Sequence, residues 1–411
     1  LRFEVNRYRI FWKRYKIMDL KKTYIPRLDD ILGGGVPKGT SILFQAMPGI
    51  ISDVFGYQII SERVHLDSEI GFIYTNTRTP VEIERVFDKY GWDLKTPLNS
   101  GQIFFIDSIS GMMGVPPMGK YIIDNLAKTE EIVIPAIADI AGGTAVIENV
   151  ATLIDSIGAD NTIKCIKMLN EAAAKYKVNI VYLFTRWDYE DRLVEQLKNL
   201  VDCDIELFGI EEKVMYRQVF MVAKSNWTTA SKCKTFFELT EPGGIKVFIP
   251  KLLVTGPYNA GKTTFVHAIA EEAVSVERQA FELFPTTVGL DIGHIDYKGF
   301  SADVFGTPGQ ERFDLLLEPL ARESIGTFIV IDSTKPDTFT RAKEMINMCR
   351  AEAIPKVIVA NKHDLPNALM PDEIKKRMAL WEDVPIIPVS ALSNKGVHQA
   401  LDALFELIYR V

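Results

Sequence analysis

Residues 251–264 read Lys-Leu-Leu-Val-Thr-Gly-Pro-Tyr-Asn-Ala-Gly-Lys-Thr-Thr. An apolar run ends at Gly256, and Gly256, Gly261, Lys262 and Thr263 fill the pattern G-x-x-x-x-G-K-[ST]. Chemistry explains the spacing. A strand delivers the chain to a loop that must wrap a phosphate closely, and residues without a Cβ permit that approach. The loop then opens a helix whose first N–H groups have no intrahelical partner and face the anion. Lys262 is placed for the β/γ-phosphates, and the Thr263 hydroxyl for Mg²⁺. The apolar positions Phe265 and Ile269 predict an amphipathic helix after the loop.

Four further segments follow in a telling order. Residues 285–290 read Pro-Thr-Thr-Val-Gly-Leu, and residues 305–313 read Phe-Gly-Thr-Pro-Gly-Gln-Glu-Arg-Phe. Asn361-Lys362-His363-Asp364 follows an apolar run at 356–360, and Ser390-Ala391-Leu392 follows another at 384–389. Singly each is weak; all five in order, each at a strand end, are specific. Residues 249–411 resemble Ras-like small GTPases, and are most similar to the Arf and prokaryotic Arf-like/MglA-type branch, with 287–291 similar to the Arf T-I-G-F-N. The resemblance implies GTP/GDP and Mg²⁺ as ligands. It carries nucleotide contacts onto Gly256, Asn259, Ala260, Gly261, Lys262, Thr263, Thr264, Thr287, Gly309, Asn361, Lys362, Asp364, Ser390, Ala391 and Leu392. Thr263 and Thr287 become the metal contacts, and Gln310 the residue that orients the attacking water. A carboxylate at Asp364 accepts from guanine N1–H and N2–H₂, a donor pair adenine lacks.

The whole chain is consistent with that reading. At 411 residues two or three domains are expected. Composition is that of a globular protein, with 47% hydrophobic and 25% charged residues, and the net charge of −7 argues against a general nucleic-acid binder. Cys165, Cys203, Cys233 and Cys349 have no CxxC spacing, which fits a reducing cytoplasm and neither a disulfide framework nor a zinc site. No apolar run has the length of a membrane span, and no signal peptide is evident.

Residues 1–22 are locally basic, with Tyr8, Phe11, Trp12 and Tyr15 at helical spacing. Such a helix suits a membrane-surface or partner contact. The plainer expectation is an extension ahead of Met18, which would serve as a start. Residues 25–39 then read Ile-Pro-Arg-Leu-Asp-Asp-Ile-Leu-Gly-Gly-Gly-Val-Pro-Lys-Gly and run into an apolar strand. This is similar to the opening of KaiC/RecA-like ATPase domains, and the resemblance covers about residues 23–248. The family chemistry is missing. Where that family carries G-x-P-G-x-G-K-[ST], this chain has Ala46-Met47-Pro48-Gly49-Ile50-Ile51-Ser52-Asp53. Ser52 replaces the phosphate lysine, Asp53 the Mg²⁺ hydroxyl, and Ile51 a glycine. Thr77-Arg78-Thr79-Pro80 stands where paired glutamates are usual, leaving only Glu148 near a Walker-B position. The expectation is a pseudo-ATPase.

The two domains meet across Pro250, too short a junction for a tether, so a fixed relative placement is expected. The fold class is α/β: two tandem P-loop-type, doubly wound domains, KaiC/RecA-like at 23–248 and small-GTPase-like at 249–411. In the second, a helix is expected to about Val274, a hairpin around 289–296 and 301–305, buried strands at 327–331, 357–360 and 384–389, and a last helix from Gly396 to Tyr409. Asp332 is read as a capping residue, and His267 and His363 as structural. One departure matters. The second switch normally opens D-x-x-G, and here that aspartate is Gly306. Asp303 cannot replace it, being about 10 Å away on the opposite face of the pleat. The resemblance therefore implies a slow GTPase switch needing an effector and a GAP or exchange protein; the rivals are a non-hydrolysing GTP-binding scaffold and a working ATPase in the first domain.

Overall fold

The computed structural model describes residues 19–211, 216–229, 233–270, 273–279, 287–311, 314, 317–322, 324–349, 354–379 and 384–409. The basic segment 1–18, Pro285 and Thr286 of the first switch, and Arg312 and Phe313 of the second lie outside them. The chain forms two compact units. The first comprises the described residues to Gly209 with Gln218–Cys233 and Phe237–Val247; the second takes those of Ile210–Arg217, Lys234–Phe236 and the chain from Phe248.

In the first unit, seven strands pair in parallel. Ser41–Ala46 lies between Asn179–Thr185 and Cys203–Glu211; Asn179–Thr185 is followed outward by Thr144–Ile147, Gly71–Thr75, Ile103–Asp107 and Tyr121–Ile122. Alternation along each strand builds two cores. Ile42, Phe44 and Ala46 pack with Val54, Phe55 and Ile59 of the helix Asp53–Asp67. Leu43, Phe72 and Tyr74 face the other way, toward the helices Thr129–Asp139, Val150–Ile157 and Ala159–Tyr176. Helices on both faces of a parallel sheet make it doubly wound, as the run of buried apolar strands predicts. Leu20–Lys21 pairs with Val36–Pro37, and Asp29 accepts from the Thr23 and Tyr24 N–H groups, which sets the turn into the glycine-rich segment.

The second unit has strand order Val274–Gln279, Thr287–Tyr297, Phe300–Gly306, Lys251–Thr255, Ser324–Asp332, Lys356–Asn361, Ile386–Pro388, antiparallel for the first two pairings and parallel thereafter. Ile329 and Ile331 pack against Phe339, Ala342 and Ile346, while Phe328 turns to the other face and meets Phe265 edge-on at 5.2 Å. The helix Val397–Tyr409 closes that face, its Leu404 and Ile408 crowding Gly326. Two expectations need correction. The helix after the phosphate loop ends at Ile269, because Ala270 is already extended, and Val274 opens a strand. The strand expected at 384–389 is confined to Ile386–Pro388, because the prolines at 385 and 388 have no N–H to offer a ladder.

Candidate functional site

The strand Lys251–Thr255 ends centrally, between Phe300–Gly306 and Ser324–Asp332, and its C-terminal end carries the loop 256–261. Gly261, at φ 91°, turns the chain into the helix Lys262–Ile269. A Cβ there would lie 2.3 Å from Asn361 Nδ2, so no other residue fits. Lys262 is buried, and its ammonium donates to the Gly256 and Pro257 carbonyls at 2.9 and 2.8 Å. Burial lowers its pKa to about 8, against the opposing pull of the Asp291 carboxylate. Gly309 sits over the same loop: a Cβ would come within 2.5 Å of Lys262 Nζ and 2.6 Å of Tyr258 N. Tyr258 itself is 63% exposed at the rim, and Gln310, next to Gly309, is exposed. Thr264 is exposed on the first helical turn.

The segment 361–364 joins this loop through two side chains, Asn361 and Lys362. Asn361 donates from Nδ2 to the Ala260 carbonyl at 3.0 Å and accepts the Ala391 N–H on Oδ1 at 3.0 Å. Lys362, at φ 60°, donates to the Asn259 carbonyl at 2.8 Å and pairs with Asp332 at 2.7 Å. Asp332 is thus more than a cap: besides receiving the Thr334 N–H it anchors Lys362, and despite its burial the lysine holds its carboxyl below the usual range. Asp364 is exposed, with its carboxyl kept low by the Ser390 hydroxyl. Ala391 is buried and Leu392 is 86% exposed. The structure therefore brings together Asn259, Ala260, Gly261, Lys262, Gly309, Asn361, Lys362, Asp364, Ser390 and Ala391. The Thr287 side chain lies outside what is described; its backbone pairs with Gln279.

Sequence reasoning missed one residue here. Asp291 stands directly across the hairpin from Gly306, and its Oδ2 accepts the Thr263 hydroxyl at 2.6 Å. A Cβ on Gly306 would meet the Asp291 Cβ at 3.0 Å and Oδ2 at 3.3 Å. A carboxylate from the adjacent strand thus lies beside position 306, which has none. The turn held a signal for it: with Tyr297 paired to Phe300, counting back places 291 opposite 306. Asp303, by contrast, points to His294 at 2.8 Å.

The corresponding loop of the first unit is built otherwise. Ile50 is buried in the core, Ile51 is 43% exposed, and Ser52 and Asp53 are buried. Asp53 opens the helix Asp53–Asp67 and is bonded by the guanidinium of Arg78, from the loop after Gly71–Thr75. Glu148 accepts the Tyr57 hydroxyl at 2.9 Å and the N–H groups of Asn76, Thr77 and Arg78 at 3.1, 3.0 and 3.2 Å. Burial raises the Glu148 pKa against those bonds.

Known proteins fall along the same division. Residues 21–252 match the KaiC ATPase family and residues 248–408 the ADP-ribosylation factor (Arf) family. A UPF0273 protein of Saccharolobus solfataricus is 32% identical over 136 residues, which cover 32% of this chain and 48% of that protein; this chain thus spans about half the length of that relative. ADP-ribosylation factor-like protein 4C of Homo sapiens is 28% identical over 170 residues, 39% of this chain and 86% of that protein. The crystal structure of a KaiC-like protein from Pyrococcus horikoshii OT3 aligns at 18% identity with a TM-score of 0.48, over 56% of this chain and 99% of that one. Among the described residues no helix is long and apolar enough to cross a membrane.

Proposed function

The chain belongs to the KaiC ATPase family through residues 21–252 and carries an Arf-family domain in residues 248–408, and from that premise we propose that it works as a guanine-nucleotide switch whose nucleotide chemistry resides wholly in the second unit. The observation that carries this reading is Asn361, whose two hydrogen bonds tie the base-reading loop to the phosphate loop and to Ala391. One nucleotide could then meet all three.

The residues present suit such a ligand. Gly261 and Gly309 let the loop close against Asn361, Lys262 and Tyr258, where any Cβ would clash, and Lys262 is a buried ammonium already among loop carbonyls. Lys262 would hold the β/γ-phosphates, Asp364 and Asn361 the guanine, and Thr263 with Thr287 the Mg²⁺. The metal, when bound, supplies charge neutralisation between the phosphates. Asp291, bonded to Thr263, takes the place of the carboxylate lost at 306 and orients the hydroxyl that faces the metal. Gln310 positions the attacking water. Hydrolysis is slow, at or below the unassisted scale of roughly 10⁻⁴ s⁻¹, since position 306 has no carboxylate and Gln310 is exposed. A GAP or exchange protein and an effector complete the cycle in the cytoplasm. The first unit serves as an interaction or regulatory platform and neither binds nor hydrolyses ATP. A non-hydrolysing scaffold is the second reading, favoured by Gly306.

Titration of the full chain with GTP and ATP tests this. Asp364→Asn should weaken GTP by about 100-fold and admit xanthosine nucleotides; equal affinity of the wild type for ATP and GTP overturns it. Phosphate release in the same samples separates slow hydrolysis from none.

A further inference from the structure

The first unit carries a charge cluster in which two buried carboxylates, Asp53 and Glu148, meet the half-exposed side chain of Arg78. Asp53, Arg78 and Glu148 come from three segments: a helix start, the loop after Gly71–Thr75, and the end of Thr144–Ile147. Glu148 is almost wholly buried and spends its oxygens on the Tyr57 hydroxyl and three successive N–H groups at 76–78. That fixes the backbone from which Arg78 projects. A capping box fixes the next residues, with Thr79 N–H donating to Glu82 at 2.8 Å and Thr79 Oγ1 accepting the Glu82 N–H. The guanidinium so presented bonds Asp53 and lies 3.8 Å from Glu148.

We propose that Arg78 is the built-in counter-ion of the degenerate phosphate loop, the cation that the chain itself supplies to Asp53 and Glu148. The charges have exchanged sides. The resemblance puts a lysine on the loop 46–53 and carboxylates at 77 and 78; this chain has a carboxylate at 53 and a cation at 78. A phosphate approaching the loop would meet Ser52 and Asp53, and Arg78 could serve it only by leaving Asp53, which is itself buried. An unpaired buried carboxylate is costly, so the pair holds. Removing Arg78 strands Asp53, whereas removing both partners does not. The unit thereby keeps its fold without nucleotide. This rests on the reading that the first unit has no ATP chemistry.

The test is a double-mutant cycle in the full chain, reading thermal unfolding together with hydrogen-exchange protection at residues 53–60 and 76–82. Arg78→Ala should lower the midpoint of the first unit by roughly 4 °C, Arg78→Lys by less, and Arg78→Ala with Asp53→Ala by clearly less than the sum of the singles. Should Arg78→Ala fail to fold, Arg78→Lys and Asp53→Asn supply the same cycle. Additive losses, or none, overturn the counter-ion role even if the unit ignores ATP. A thermal shift of the wild-type first unit on adding Mg-ATP, with Lys262→Ala present to silence the second site, overturns the underlying reading instead.

Discussion

The loops at 46–53 and 256–263 both connect a buried parallel strand to a helix, yet they carry their charges differently. In the second unit the cation belongs to the loop: Lys262 is buried against the Gly256 and Pro257 carbonyls, and Gly309 closes over it. In the first unit the cation comes from elsewhere, as Arg78, and it meets a carboxylate on the loop. The strand–loop–helix geometry rests chiefly on its apolar faces. Ile42, Phe44, Val54 and Phe55 hold the first loop's flanks in the core, and the Asp53–Arg78 pair settles the charge left on the loop between them.

That contrast is broken most directly by parallel substitutions in the two loops. Lys262→Ala should reduce GTP affinity by about 1,000-fold or more, because a buried cation opposing phosphate is lost. Ser52→Ala should leave binding of both GTP and ATP where it was. Fluorescent-nucleotide titrations of the two variants give the answer. A loss of nucleotide affinity in Ser52→Ala comparable to that in Lys262→Ala would show that both loops still work.

A smaller effect sharpens the comparison within the second unit. Asp291→Asn should weaken Mg²⁺ by roughly 10- to 100-fold, the usual scale when a group orienting a metal ligand is lost. Gly306 and Asp291 face each other at contact distance, so the carboxylate can be moved back only if position 291 is emptied. Asp291→Gly combined with Gly306→Asp should therefore recover most of the metal affinity, while Gly306→Asp alone should not improve on the wild type. Magnesium titrations of nucleotide release decide this; unchanged affinity in Asp291→Asn removes Asp291 from the site.

What could be read from the sequence follows from how far apart the relevant residues are. The phosphate loop is contiguous, and each of its special residues answers to a local need, so strand, loop and helix were all legible. The same holds for the doubly wound pattern, because parallel strands covered on both faces read as unbroken apolar runs. Asp291 reaches Gly306 only through the register of a hairpin, which has to be counted back from the turn, and the pairing of Lys362 with Asp332 spans thirty residues and leaves no local mark. The segment 274–279 reads Val-Ser-Val-Glu-Arg-Gln, and only pairing with the neighbouring strand makes it a strand. Arg78 could be recognised as unable to act as a base, but its attachment to Asp53 depends on the loop geometry that Glu148 imposes.

The finest distinction between the two loops is electrical and concerns Lys262. Burial holds its pKa at about 8, against an ordinary value of 10.5. Between those two pH values the unfolded chain keeps a proton on Lys262 that the folded chain has released. The unfolded state then binds more protons, so the stability of the second unit rises with pH across that window, by about 1–3 kcal/mol in all. Below about pH 8 both states carry the proton and this contribution is flat. Lys262→Met should abolish the rise. Bound polyphosphate favours the charged ammonium, so GTP binding should take up part of a proton, and more at pH 8.5 than at pH 7.5. Calorimetric titrations in two buffers of different ionisation enthalpy measure that uptake at each pH. The first loop has no lysine to titrate, so nothing comparable should come from it. Proton uptake that is absent, or that falls as pH rises, would mean that Lys262 is already charged in the free protein and that its burial does not govern its protonation.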